Sequence, residues 1–109
     1  MEQQNVTVLW NEPLTPSCYR IGLRTSDIFL TAVPGQFVML HIGDRMTPLL
    51  RRPFSIHQLI HRDGVFQGIE LLYKVVGTGT QMLARLHPGD QIDLLGPMGN
   101  GFSIAESFS

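Results

Sequence analysis

Apolar and polar residues alternate along most of this chain with a period of two, which is the signature of half-buried strands rather than helices. Val6 to Trp10 reads as a strand with Val6, Val8 and Trp10 on one face and Thr7 and Leu9 on the other. Asn11 to Pro16 carries two prolines and reads as a turn. Cys18 to Leu23 alternates again, and Phe37 to Ile42 is a short apolar run behind a Pro34-Gly35 turn. Pro53 to Leu59 is a fourth strand, with proline at its first position, where the absent N–H need not pair. His61-Arg62-Asp63-Gly64 predicts a hairpin turn, Val65 to Val76 its return strand, and Gln91 to Leu95 the last strand. Thr80 to Leu86 has the spacing and composition of one short helix, stopped by Pro88-Gly89. Six strands and a lone helix predict an all-β fold, a small six-stranded antiparallel Greek-key barrel.

Length and charge narrow the picture. A chain of 109 residues is one domain, large enough to bury a core without disulfides or metal. Its net charge of −1 gives no basic face for nucleic acid. The single cysteine, Cys18, permits neither an internal disulfide nor a four-thiolate metal site; it reads as a small core residue. The five methionines read as core filler, apart from Met98 beside the glycines. The start, Met-Glu-Gln-Gln-Asn, is unlike a signal peptide, and no apolar run is long enough for a membrane helix. These features predict a soluble, cytoplasmic protein that binds neither nucleic acid nor membrane.

Two segments carry candidate chemistry. In Arg52-Pro53-Phe54-Ser55 a guanidinium can fork onto phosphate, a ring can cover a flat cofactor, and a hydroxyl can donate to a ring nitrogen. Simple alternation puts Arg52 and Phe54 on one face and Ser55 on the other, so a single site needs the backbone to bend near Pro53. An ordinary strand, with Arg52 solvated and Phe54 in the core, is the competing account. Arg51 points away from Arg52 and reads as a solvated surface residue. The second segment is Leu72-Tyr73-Lys74, running into Gly77-Thr78-Gly79-Thr80. Glycines there allow close backbone approach, Thr78 or Thr80 can cap the helix, and its first turn offers free N–H groups to phosphate. The segment is neither a GxGxxG fingerprint nor a P-loop, and a plain strand-to-helix turn is the alternative. Together, in this order, the two suit a flavin dinucleotide. The histidines His41, His57, His61 and His87 form no metal-ligand spacing, and no catalytic triad is visible; no catalytic or metal residue is predicted.

These motifs resemble the flavin-binding barrel of the ferredoxin–NADP reductase superfamily, and within it the electron-transfer subunit of the two-subunit (class 1B) dihydroorotate dehydrogenase. The likeness rests on Arg52-Pro53-Phe54-Ser55, Leu72-Tyr73-Lys74 and Gly77-Thr78-Gly79-Thr80. The Pro34 to Val38 turn and the Gly89-Asp90 and Gly96 to Gly99 segments support it. The resemblance implies that Arg52 meets the FAD pyrophosphate, that Ser55 faces the reactive edge of the flavin, and that Phe54 meets the ring or its ribityl chain. It further implies that Pro53, Leu72, Tyr73 and Lys74 line the cofactor and that Gly79 and Thr80 hold phosphate. FAD is expected ahead of FMN.

The same resemblance implies a function. The barrel would carry electrons between a nicotinamide cofactor and a catalytic dehydrogenase subunit of a hetero-oligomer, in pyrimidine biosynthesis. Relatives of this kind also carry a nucleotide-binding domain that takes NAD(P)H and, in the dihydroorotate subunit, four cysteines for a [2Fe-2S] cluster; neither occurs in these 109 residues. Residues 1–99 are therefore expected to be the FAD barrel and 100–109 a linker into that second domain, with no activity from the barrel alone. Two alternatives stay open: the flavin subunit of another NAD(P)H-dependent reductase or hydrogenase, and a cofactor-free barrel serving as an interaction module. The last predicts exposed apolar or aromatic patches on one barrel face and no cofactor pocket between the fourth strand and the helix, and Arg52 and Thr80 on opposite sides of the barrel would favour it.

Overall fold

The computed structural model describes residues 1–42 and 51–99. Six strands are present: β1 (Glu2–Pro13), β2 (Cys18–Arg24), β3 (Phe37–His41), β4 (Arg51–Arg62), β5 (Val65–Lys74) and β6 (Gln91–Met98), with one helix, α1 (Thr78–Ala84), between β5 and β6. They close into a barrel in the order β1-β2-β5-β4-β3-β6, every neighbouring pair antiparallel. Strands β3, β4 and β5 follow one another, and β6 returns to lie beside β3, which is the Greek-key arrangement the sequence predicts. The expected linker at 100–109 lies outside the described residues.

The alternating pattern works as expected in most strands. Val6, Val8, Ile21, Leu23, Val38, Leu40, Ile69, Leu71 and Leu94 all point inward and are essentially inaccessible to water. A one-residue slip would turn each set outward, so the register is strongly fixed. The hairpin between β4 and β5 turns on Asp63 and Gly64, both at positive φ (53° and 78°), as an Asp-Gly turn requires.

Trp10 departs from the expected pattern. A bulge between Val8 and Trp10 inserts one residue into β1, so Trp10 does not follow Val6 and Val8 into the core. Its ring lies instead on the outside, across Gly22, where an added Cβ would collide with the indole. Its Nε1 donates to Glu70 Oε2 (3.1 Å), and Gln58 Nε2 donates to Glu70 Oε1 (2.9 Å), so the buried carboxylate has partners on two strands.

Other differences also have local causes. β1 runs on through Pro13, which pairs with Tyr19, so Asn11 to Pro13 is strand and only the stretch after it turns. A 3-10 turn, Asp27–Phe29, drives Phe29 into the core; nothing in its short, non-alternating sequence announces it. Cys18 is half-buried rather than core, because it pairs with exposed Lys74 at the barrel's end. None of the described methionines is a core residue: β-branched residues, leucines and aromatics fill the interior, and Met82 stays exposed. Arg51 is not solvated. It reaches across β3 to Asp93 on β6 (3.1 Å), and most of its side chain is covered.

Candidate functional site

The antiparallel pairing of β4 with β5 sets the start of β4 beside the end of β5, with Ile56 opposite Leu71. Beyond Lys74 the chain turns through Val75 to Gly77 and enters α1. A groove of about 310 Å³ opens between these three pieces, lined by Arg52, Pro53, Phe54, Ser55, Leu72, Tyr73, Lys74, Val76 and Thr80. Eight of the nine residues expected from sequence thus share one concavity. The ninth, Gly79, adjoins it: an added Cβ there would sit 3.1 Å from Arg52 Nε and 3.8 Å from Cζ. The guanidinium therefore rests against the first turn of α1. Arg52 and Thr80 lie on the same side of the barrel, not in the opposite-side placement that would favour the cofactor-free reading. Val76 was not expected; it is the exposed residue where the strand leaves the sheet, and its apolar type gave no hint of that.

The side chains divide by depth. Phe54 and Tyr73 face inward, packed edge to face with ring centroids 6.1 Å apart, and Tyr19 stacks on Tyr73 at 5.6 Å. Phe54 is nine-tenths covered, so it supplies the floor of the groove and not a free ring for a flat ligand to stack on. Arg52, Ser55, Leu72 and Lys74 are exposed along the rim. Phe54 and Ser55 do alternate, yet both touch the groove because it lies across the end of the strand, where inside and outside meet. Among the described residues neither Arg52 nor Lys74 has an ion-pair partner, and the rim carries both positive charges.

Thr80 holds the far wall in shape. Its Oγ1 accepts from Val76 N (2.8 Å) and Gly77 N (3.2 Å), which fills both acceptor positions and leaves the hydroxyl a donor only. That proton points to Gly77 O at 3.2 Å. The first intrahelical bond runs from Gln81 N to Gly77 O (2.9 Å), so the amides of Thr78, Gly79 and Thr80 precede the ladder. The groove thus joins two cations and a set of main-chain donors, which is the chemistry of a site for an extended anion.

Tyr73 is anchored from below. Its hydroxyl donates to Asn11 Oδ1 (2.8 Å), and burial pushes its pKa up to about 12 from 10.0, with nearby Tyr19 adding to the rise. The native state thus keeps this proton more tightly than the unfolded chain. The associated stability is complete below pH 10 and is lost as the pH rises through about 12. Tyr73→Phe is expected to flatten the fall in urea-unfolding stability over that interval, while costing about 1 kcal/mol at neutral pH for the unmet Asn11 oxygen. Unfolding series at pH 8 and pH 11 check both parts.

A larger concavity, about 600 Å³, lies between α1 and β6 and is lined by His41, Ile42, Met82, Leu83, Leu86 and Asp93 among others. It holds none of the sequence-predicted residues. The smaller groove, where the cations and free amides meet, is the better candidate on chemistry.

A family profile described as an oxidoreductase FAD-binding domain matches residues 14–102. The electron transfer subunit of dihydroorotate dehydrogenase B (NAD(+)) from Desulforamulus reducens is 43% identical over 91 residues, 84% of this chain and 34% of that protein. The corresponding subunit from Enterococcus faecalis is 38% identical over 103 residues, 94% of this chain and 38% of the relative. The chain thus spans little more than a third of the length of these relatives. Among solved structures, a ferredoxin NADP+ reductase from Neisseria gonorrhoeae with bound FAD and NADP superimposes with a TM-score of 0.72 at 21% identity, covering 99% of this chain and 42% of that one. A ferredoxin-NADP+ reductase from Plasmodium falciparum gives 0.67 at 15%, covering 91% and 39%. At these identities the structural matches speak for the fold.

Proposed function

Because the chain belongs to the oxidoreductase FAD-binding domain family and has the barrel of the ferredoxin–NADP reductases, we propose that its β4–β5–α1 groove holds FAD for an electron-transfer flavoprotein. The observation that carries this is the placement of the Arg52 guanidinium against Gly79, beside the free amides of α1 and in one groove with Ser55 and Lys74. Arg52 and the amides of Gly79 and Thr80 take the diphosphate, while the Thr80 hydroxyl, bonded to Val76, Gly77 and its own turn, holds those amides in place. Ser55 donates to the polar edge of the ring system. Leu72 lies against the cofactor's flat or aliphatic part over the Phe54–Tyr73 floor, Pro53, the third residue of β4, lines the groove, and Lys74 adds positive charge. The flavin, once bound, supplies exchange of electrons with a nicotinamide and an acceptor; the residues here bind and orient it.

The wider assignment follows the relatives' names and the quoted motifs. The protein serves as the electron-transfer subunit of a dihydroorotate dehydrogenase of the NAD-dependent type, docked to a catalytic dehydrogenase subunit in pyrimidine biosynthesis. Residues 1–99 form the FAD barrel and 100–109 lead towards a nucleotide-binding domain that takes NAD(P)H and carries any [2Fe-2S] cluster. The cytoplasm is its compartment. Among the described residues, no helix is long and apolar enough to cross a membrane.

Titrating the purified chain with FAD tests the central point. Saturable quenching of flavin fluorescence and a structured visible spectrum, at one FAD per chain, are expected; a titration that never departs from free flavin would sink the reading. Co-purification of the gene's full product with a dihydroorotate dehydrogenase catalytic subunit tests the wider one.

A further inference from the structure

We infer that Asn11, on β1 and outside the groove, is a positioning residue that sets α1 against β5 and thereby holds the two walls of the proposed FAD site in register. The role in cofactor binding rests on the FAD reading above, whereas the structural coupling does not.

Asn11 spends its whole amide on this task. Its Nδ2 donates to Leu83 O (2.8 Å) and to Leu86 O (3.1 Å), and its Oδ1 accepts from the Tyr73 hydroxyl (2.8 Å). The orientation of the amide is dictated by its partners, since two carbonyl oxygens can face only the NH2 group. Leu83 lies in the last turn of α1 and Leu86 two residues past its end, so the amide grips the helix exit, where carbonyls need partners from outside the helix. The hydroxyl belongs to the floor of the groove.

A helix of seven residues has little stability of its own, so external contacts fix where it lies. α1 has few of them. Leu83 is its only large apolar side chain that is fully buried, and Thr80 ties its start to Val76 and Gly77. Ala84 and Leu86 pack against the core only in part, and Asn11 is the polar tie at this end, the one that prevents the helix from pivoting about Leu83. A pivot would carry Gly79 and Thr80 away from Arg52 at the opposite end of α1.

The test uses the whole chain with Asn11→Ala, Asn11→Asp and Tyr73→Phe. Asn11→Asp keeps an acceptor for Tyr73 but sets oxygen against the two carbonyls, so it removes the helix tie alone and serves if Asn11→Ala fails to fold. Amide NMR spectra without cofactor should show Gly79, Thr80 and the Arg52 Nε–H displaced in the Asn11 variants. A purely local cap would move only residues 83 to 87. FAD should bind roughly tenfold or more weakly to folded Asn11 variants, and the losses from Asn11→Ala and Tyr73→Phe should be non-additive. Unmoved amides at 79 and 80 would overturn the inference whatever FAD does. FAD affinity within twofold of wild type, with moved amides, would overturn the binding role. A wild type that binds no FAD would count against the proposed function, and the apo spectra would still decide the coupling.

Discussion

Arg52→Ala lowers the affinity for FAD by roughly 10- to 100-fold and leaves the barrel as stable as before. The binding loss follows from the energy of a charged hydrogen bond to phosphate, about 1.5–3 kcal/mol, with each 1.4 kcal/mol worth a factor of ten. Stability is spared because the side chain is exposed and has no ion-pair partner among the described residues. Removing it changes surface charge and little else, an effect expected within about 0.5 kcal/mol. Arg52→Lys should fall between the two, since it keeps the charge but loses the fork and the planar group that rests on Gly79. Fluorescence titration with FAD and a thermal melt on each variant separate the two quantities. Unchanged affinity in Arg52→Ala would remove the main support for placing the diphosphate at this end of the groove.

Gly68→Ala does the reverse, destabilising the barrel by about 3 kcal/mol or more without touching the groove. Gly68 lies on β5 between Arg24 of β2 and Ile60 of β4. A Cβ there would overlap the Leu23 carbonyl oxygen and stand 2.9 Å from its carbon and 3.0 Å from Arg24 Cα. All three atoms are backbone held in the ladder, so relief requires parting two strands. Gly77→Ala is the control: it has extended backbone and nothing within 4 Å of the added methyl, and as the N-cap of α1 it is expected to lose no more than about 1 kcal/mol. Urea unfolding of the three proteins measures the contrast. A Gly68→Ala variant as stable as wild type would mean that β2 and β5 have room to separate.

What could be read in the sequence divides along physical lines. Strands with uninterrupted alternation, such as Cys18 to Leu23, were legible because each side chain's face follows from its neighbours. Trp10 was placed on the wrong face because a bulge changes the count, and no residue type marks a bulge. The groove was legible because its members sit in two compact motifs. Asn11 was not, since its partners are carbonyl oxygens 72 and 75 residues away and a hydroxyl 62 away. Backbone acceptors leave no trace in residue identity, and an asparagine just ahead of two prolines looks like a turn. The depth of Phe54 was likewise hidden: the motif gives its place on the strand but not that the site lies across the strand's end.

The outward turn of Trp10 has a practical consequence. It is the only tryptophan in the chain, so the indole emission comes from a single point, fixed across Gly22 and bonded to Glu70. That point is stitched to β1, β2 and β5 at once. Its fluorescence therefore reports on whether the barrel wall is shut, and gives a built-in optical signal for unfolding that needs no dye or engineered label.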